Sequence, residues 1–167
     1  MINPEILREY DIRGIYKKSL TLNDIIEIGE KLSKIIHSKK SNKIIIGHDG
    51  RNSSLKIKNS LIKTFLKFGI DVVDISLIPT PISYFANKTY NIPNVIMITG
   101  SHNPSEYNGF KMVLNKHSFY SDDIRNFQSI LNNNNLEKKN GSIKNINIKN
   151  EYLERILKNI SINKKLK

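Results

Sequence analysis

Asn94-Val95-Ile96-Met97-Ile98-Thr99-Gly100-Ser101-His102-Asn103-Pro104 is the stretch whose reading decides the fold. Its apolar half has no polar alternation, so it reads as a strand buried on both faces. Its second half is a tight Gly-Ser and Asn-Pro turn that leaves one hydroxyl at the strand exit. Earlier in the chain, Lys43-Ile44-Ile45-Ile46-Gly47 is a second strand of this kind and opens into His48-Asp49-Gly50-Arg51-Asn52-Ser53-Ser54. Ile70 to Leu77 is a further strand, broken by Pro79-Thr80-Pro81. Phe110 to Leu114 alternates with period two, which predicts a strand in an edge or antiparallel position.

Helical spacing fills the gaps between these runs. Thr21 and Asp24 resemble a capping box, and Ile25, Ile28, Leu32, Ile35 and Ile36 follow at helical intervals to about His37-Ser38. Ser53 or Ser54 caps a second helix that carries Ile57, Leu61, Phe65 and Phe68 on one face, and Gly69 is placed to end it in a left-handed conformation. Ile82 to Tyr90 and Asp122 to Leu131 are further helices. Strands alternating with helices predict a three-layer α/β/α fold around a mainly parallel, mixed, twisted sheet. Ligands of such sheets collect at the carboxyl ends of the strands, which puts the loops 47–54, 78–82 and 99–109 on one rim. Residues 1–132 read as one domain. The Asn- and Lys-rich residues 133–150 read as a linker, and 151–167, with Leu153, Ile156, Leu157 and Ile160 at helical spacing, read as the start of a second domain.

Composition removes several classes of function. The chain has no cysteine, which excludes disulfides and Cys-based metal sites. No signal-peptide pattern opens it, and no apolar run approaches the ~20 residues that span a bilayer. A cytoplasmic location without a membrane partner is the expectation. The net charge of +12 admits nucleic acid, anionic surfaces or phosphorylated small molecules as partners. Only five of the 27 basic residues are Arg, however, and the Ile, Lys and Asn excess matches the drift of an AT-rich genome. A nucleic-acid partner is not expected, and a basic anion- or nucleic-acid-binding module remains the rival reading.

Four segments carry chemistry-bearing residues. Thr99 to Pro104 offers the Ser101 hydroxyl, a glycine that lets a phosphate approach the backbone, and donors from His102 and Asn103; a plain Asn-Pro turn uses the same residues. A Ser–His hydrolase is a poor match, because the second glycine of the nucleophile elbow is missing. In Arg8-Glu9-Tyr10-Asp11-Ile12-Arg13-Gly14, Arg13 and Tyr10 can steady an oxyanion, or Asp11 and Arg13 can form an ordinary surface pair. In Tyr107-Asn108-Gly109-Phe110-Lys111, an Asn-Gly turn leads to a lysine that can stabilise a phosphate or accept a proton, or simply face solvent. In Gly47-His48-Asp49-Gly50-Arg51, Asp49 and Arg51 can brace the rim by pairing, and His48 has no second His at ligand spacing.

Taken together and in this order, these motifs and Pro79-Thr80-Pro81 resemble the first domain of the α-D-phosphohexomutases over about residues 7–131. The Tyr-Asp-Ile-Arg-Gly form resembles the phosphomannomutase/phosphoglucomutase branch. The resemblance implies that Ser101 carries a phosphate in the resting enzyme. It implies transfer of that phosphate to a hexose 1-phosphate or 6-phosphate, through a hexose 1,6-bisphosphate that also serves as phosphorylating activator. Lys111 matches the proposed general base. Arg13 and Tyr10 match residues that steady phosphoserine and phosphosugar, and His102 and Asn103 complete the loop. An oxygen of the Ser101 phosphate matches one ligand of the family's Mg²⁺. The Asp-Gly-Asp-Gly-Asp-Arg metal loop, the Gly-Glu-x-Ser-Gly-His sugar loop and the C-terminal phosphate loop of domains II–IV do not occur in this sequence. The expectation is therefore a chain inactive as a mutase by itself. An excised domain, a half that works with a complementing second chain, and a non-catalytic remnant all fit.

Overall fold

The computed structural model describes residues 2–130 and 139–160. In chain order it contains β1 (Ile12–Ile15), α1 (Leu22–Ser38), β2 (Lys43–His48), α2 (Ser54–Lys67), β3 (Asp71–Leu77) and α3 (Thr80–Thr89). These are followed by β4 (Val95–Ile98), β5 (Tyr107–Leu114), β6 (His117–Ser118), α4 (Asp122–Phe127), β7 (Ile143–Asn145) and α5 (Lys149–Asn159). The strands form one seven-stranded sheet in the order β1-β5-β4-β2-β3-β7, with β6 paired to β5. β2 pairs in parallel with β3 and β4, and β7 pairs in parallel with β3. β5 alone runs against its neighbours β1, β4 and β6. The three-layer α/β/α architecture with a mixed sheet is as the sequence predicts.

The unbroken apolar runs follow from burial on both faces. On one face Ile44, Ile46, Ile96, Ile98 and Phe110 pack with Ile25, Ile28 and Leu32 of α1 and Ile57, Leu61 and Phe65 of α2. On the other, Ile45, Val73, Val95 and Met97 pack with Ile82 and Ala86 of α3. Each such side chain contributes about 1.5–3 kcal/mol by leaving water. The start of α1 and the end of α2 follow their signals; the expected serine cap of α2 does not. Thr21 and Asp24 exchange capping hydrogen bonds, Asp24 N–H to Thr21 Oγ1 at 3.3 Å and Thr21 N–H to Asp24 Oδ2 at 2.8 Å. Gly69 ends the α2 segment at φ +71°. Ser53 sits at the α2 cap without a side-chain capping bond.

Of the two positions that its period-two alternation allowed, β5 takes the antiparallel one, inside the sheet between β1 and β4. Ile12–Ile15, which no sequence pattern marked, adds a strand against β5. Two expectations change. The last helix ends at Phe127, short of the expected Leu131, which lies outside the described residues. Within 133–150 the described part is not structureless: Ile143–Asn145 forms the far strand of the sheet, with Ile146 N–H donating to Asp74 O at 2.9 Å. Residues 133–138, and 161–167 of the expected second-domain start, lie outside the described residues. α5 places Tyr152 edge-on to Phe85 of α3 at 5.2 Å between ring centroids, while Leu153, Leu157 and Ile160 stay exposed.

Gly109 marks a close backbone approach between β1 and β5. It stands within β5 opposite Arg13, and a Cβ there would lie 2.1 Å from the Ile12 carbonyl oxygen. The Asn-Gly pair therefore serves strand contact rather than a turn. Gly109→Ala is expected to lower stability by about 1–3 kcal/mol, or more, through forced separation of β1 and β5; a urea midpoint equal to that of the parent would contradict this.

Candidate active site

The site begins where β4 ends. Thr99 N–H still donates to Gly109 O across the sheet at 3.0 Å, and the chain then leaves the ladder. Ser101 turns it at φ +54°, a left-handed conformation that costs a non-glycine residue about 1–3 kcal/mol and persists only where neighbours enforce it. Ser101 is exposed, and its hydroxyl oxygen stands 3.5 Å from His102 Nδ1. Asn103 closes the turn: its backbone N–H and its Nδ2 both donate to Gly100 O, at 3.1 and 2.9 Å.

What enforces the turn arrives from β2. The Arg51 guanidinium lies beneath the loop. Its NH1 group donates to the carbonyls of Pro104 (2.5 Å) and Tyr107 (3.0 Å), and its NH2 group to those of Ser101 (2.9 Å) and Asn103 (2.7 Å). Nε donates to Asp49 Oδ2 at 3.2 Å. The pairing of Asp49 with Arg51 expected from the sequence is present, but it is the smaller part of what Arg51 does. Gly100 is accounted for by this group and not by a ligand: a Cβ on Gly100 would lie 2.4 Å from Arg51 Cζ.

Asp49 gathers the rim. It accepts from Ser54 Oγ (2.6 Å), from Arg51 N–H (3.1 Å) and from Gly100 N–H (3.3 Å). Burial pushes its carboxyl up, but hydrogen bonds from Ser54, Arg51, Thr99 and Gly100 together outweigh burial and hold it below its ordinary value. Asn108 completes the junction by donating from Nδ2 to Ser53 Oγ (2.9 Å) and Ser54 Oγ (2.8 Å), which fixes the first turn of α2 to β5.

Arg13 and Lys111 come to one carboxylate. Asp11, buried, accepts from Arg13 and from Lys111 Nζ, the latter at 3.4 Å. The register explains this: β1 lies beside β5, with Arg13 opposite Gly109, so strands far apart in sequence present the two cations on one sheet face. Arg13, Tyr10 and Asn103 line a hollow of about 310 Å³ with Arg8, Asp11 and Tyr107. Lys111 and Tyr10 also line a second hollow of about 330 Å³, with Tyr84, Phe119 and Tyr120. The structure thus brings Tyr10, Arg13 and Asn103 together and holds Lys111 near Arg13 through Asp11. Among the described residues, the Ser101 hydroxyl has no direct hydrogen bond to either cation. The 78–82 segment opens α3 and lines neither hollow. Asp11 as a shared anchor and Arg51 as the support of the loop are the contributions that the sequence reading underestimates. The His48 ring nitrogen Nδ1 stands 2.8 Å from the Asp49 carbonyl oxygen.

Fold and rim together define an α/β/α domain that offers an exposed serine at φ +54° just past the end of β4, on a loop held by Arg51. The profile described as "Phosphoglucomutase/phosphomannomutase, alpha/beta/alpha domain I" matches residues 4–138. The chain is 33% identical to a phosphomannomutase/phosphoglucomutase of Pseudomonas putida over 162 residues, 97% of this chain and 35% of that protein. It is 34% identical to a phosphoglucomutase of Neisseria meningitidis serogroup B over 160 residues, 95% of this chain and 35% of that protein. A crystal structure of a phosphoglucomutase/phosphomannomutase family protein from Burkholderia thailandensis superposes with a TM-score of 0.90 at 31% identity, covering 98% of this chain and 38% of that one. The chain belongs to the phosphoglucomutase/phosphomannomutase family, in the region of its α/β/α domain I. It spans about 35% of the length of the curated relatives it matches.

The depressed Asp49 carboxyl has a consequence for acid stability. Its stabilising contribution is in place above the ordinary, unfolded value of 3.8 and is lost as pH falls through the lower folded-state value. Thermal unfolding between about pH 5 and pH 2 is expected to fall more steeply in the parent than in Asp49→Asn, which starts lower at neutral pH; parallel profiles would contradict this.

Proposed function

We propose that this chain supplies the phosphoserine of a hexose-phosphate mutase, with Ser101 as the phosphate carrier. The observation that carries the reading is the exposed Ser101 on a loop whose backbone is fixed from beneath by Arg51; on this reading Arg13, Asn103 and Lys111 serve the phosphate it carries. Phosphoryl transfer depends on positioning and charge neutralisation more than on covalent help. In the forward step, a hydroxyl of a hexose 1-phosphate or 6-phosphate attacks the phosphorus on Ser101. The bond from Ser101 Oγ to phosphorus breaks as the sugar O–P bond forms, and the hydroxyl proton ends on the departing Ser101 oxygen, with Lys111 relaying it as the proposed general base. The product is a hexose 1,6-bisphosphate, and return of its other phosphoryl group restores the serine ester.

Arg13 faces the transferring oxygens, with Tyr10 and Asn103 forming the wall of the hollow beside it. Asp11 keeps Arg13 and Lys111 on one side of the sheet. His102 stands next to the carrier oxygen and can donate to the ester. Mannose and glucose phosphates are both admitted, since the groups that would read the sugar lie outside these residues. Mg²⁺ finds no ligand set of its own among the described residues. Among the described residues no group of three or more His, Cys, Asp or Glu is placed to hold a metal, so Ser101 contributes only a phosphoryl oxygen. On this reading, metal ligands, sugar contacts and the distal phosphate site come from further polypeptide, either a continuation of this one or a complementing chain. No helix of the described residues is long and apolar enough to cross a membrane, and a cytoplasmic location remains part of the proposal.

The chain, incubated with the remainder of the enzyme as a second polypeptide, Mg²⁺ and glucose 1,6-bisphosphate, is expected to gain phosphate on the Ser101 peptide by mass spectrometry. Ser101→Ala is expected to abolish both labelling and turnover. Lys111→Met is expected to slow transfer by about 10²–10⁴-fold, the usual contribution of a positioned acid–base group. Turnover that survives Ser101→Ala would sink the proposal.

A further inference from the structure

Resting on the reading of Ser101 as phosphate carrier, we infer that Arg51 is the positioning residue of that carrier, and that it acts without touching phosphate. An arginine beside a phosphate loop ordinarily suggests a direct oxyanion clamp. The count of donors here argues otherwise. A guanidinium has five N–H groups. All five are engaged: four on the carbonyls of Ser101, Asn103, Pro104 and Tyr107, and one on Asp49. The side chain is mostly buried, with a relative exposure of 14%, and its plane lies where a Gly100 side chain would be. No donor is left for a ligand.

The acceptors explain the purpose of the arrangement. Carbonyl oxygens that in a free loop would turn in several directions all converge on one cation. The peptide units that carry them are thereby oriented with their negative ends toward Arg51. The Asn103 N–H and the Ser101 N–H are spent inside the turn, on Gly100 O and Thr99 Oγ1. The exposed residues Ser101, His102, Ser105 and Glu106 are left on the outer side of the loop. The same convergence holds Ser101 at φ +54°, a conformation it would leave if the carbonyls were released. The planar fork is essential to this role. A lysine brings the same charge but a single nitrogen with three donors, which cannot span carbonyls from Ser101 to Tyr107 together with a carboxylate. Asp49 sets the plane from the far side and is itself anchored to the first turn of α2 through Ser54.

The test compares Arg51→Lys, Arg51→Met and the parent in two measurements. In the full chain alone, hydrogen exchange at the Ser101, Asn103 and Tyr107 amides is expected to rise by about tenfold or more in both variants, with the β2 and β3 amides unchanged. In the chain with the remainder of the enzyme and glucose 1,6-bisphosphate, kcat for phosphorylating Ser101 is expected to fall by about tenfold or more. KM for the bisphosphate is expected to stay within about twofold, and lysine should fail to rescue. A raised KM with kcat preserved would show that Arg51 grips the phosphate directly, and would overturn the inference, as would unchanged exchange in the loop. If Arg51→Met does not fold, Arg51→Lys alone decides by the same criteria. If the parent never accepts phosphate at Ser101, the mutase reading falls by itself. The exchange measurement then decides whether Arg51 holds the loop: faster loop exchange sustains that role and unchanged exchange overturns it.

Discussion

Five hydrogen bonds from one guanidinium hold the active rim of this domain in shape. Removing a cation from water is expensive, and the cost is recovered only when its donors are met with good geometry. Arg51 meets that condition with four carbonyls and one carboxylate. Its partners span Ser101 to Tyr107, so the bonds close a segment that would otherwise be an ordinary surface loop. Asp49 carries the constraint inward through Ser54 to α2, and Asn108 carries it sideways into β5. The strained serine at the tip is thus the outermost part of a network rooted in buried secondary structure.

The reversed strand is the second determinant. Because β5 runs against β4, the chain leaves β4 at Ile98, makes the Ser101 turn and returns alongside the strand it left, with Ile98 opposite Phe110. β1 then lies against β5 from the other side, and Gly109 lets the two backbones come close. This brings the buried Asp11 within reach of both Arg13 and Lys111. One shared carboxylate keeps both cations on this face and offsets the repulsion between them. The site is thus assembled from the N-terminal strand, the β2 exit and the β4–β5 connection, each delivered by the sheet order.

Much of this was legible in the sequence because the responsible forces are local. Helical and unbroken apolar periods reveal α1, α2, β2, β3 and β4 directly, and Thr21 with Asp24 announces its own cap. The ordered motifs around Ser101 are equally local, and the family match agrees with them. What stayed hidden depends on distant partners. β1 and β7 are four and three residues long and gain their structure from ladder pairing, not from any pattern of their own. Arg51 bonds to carbonyls, which every residue possesses, so no side-chain identity in the loop advertises the contact. Gly100 reads from sequence as space for a phosphate, and only the structure shows that space filled by a guanidinium. Leu153 and Leu157 of α5, and Ile160 just beyond it, stay exposed, while Tyr152 packs edge-on against Phe85 of α3.

The central claim is that the Arg51 fork is fully engaged in the folded chain. Nitrogen-15 NMR of the arginine side chain tests it most directly. Five occupied donors predict separately resolved Nη protons for Arg51, protected from exchange with solvent and unmoved when inorganic phosphate is titrated in. A single averaged, rapidly exchanging signal, or one that shifts with phosphate, would contradict the account.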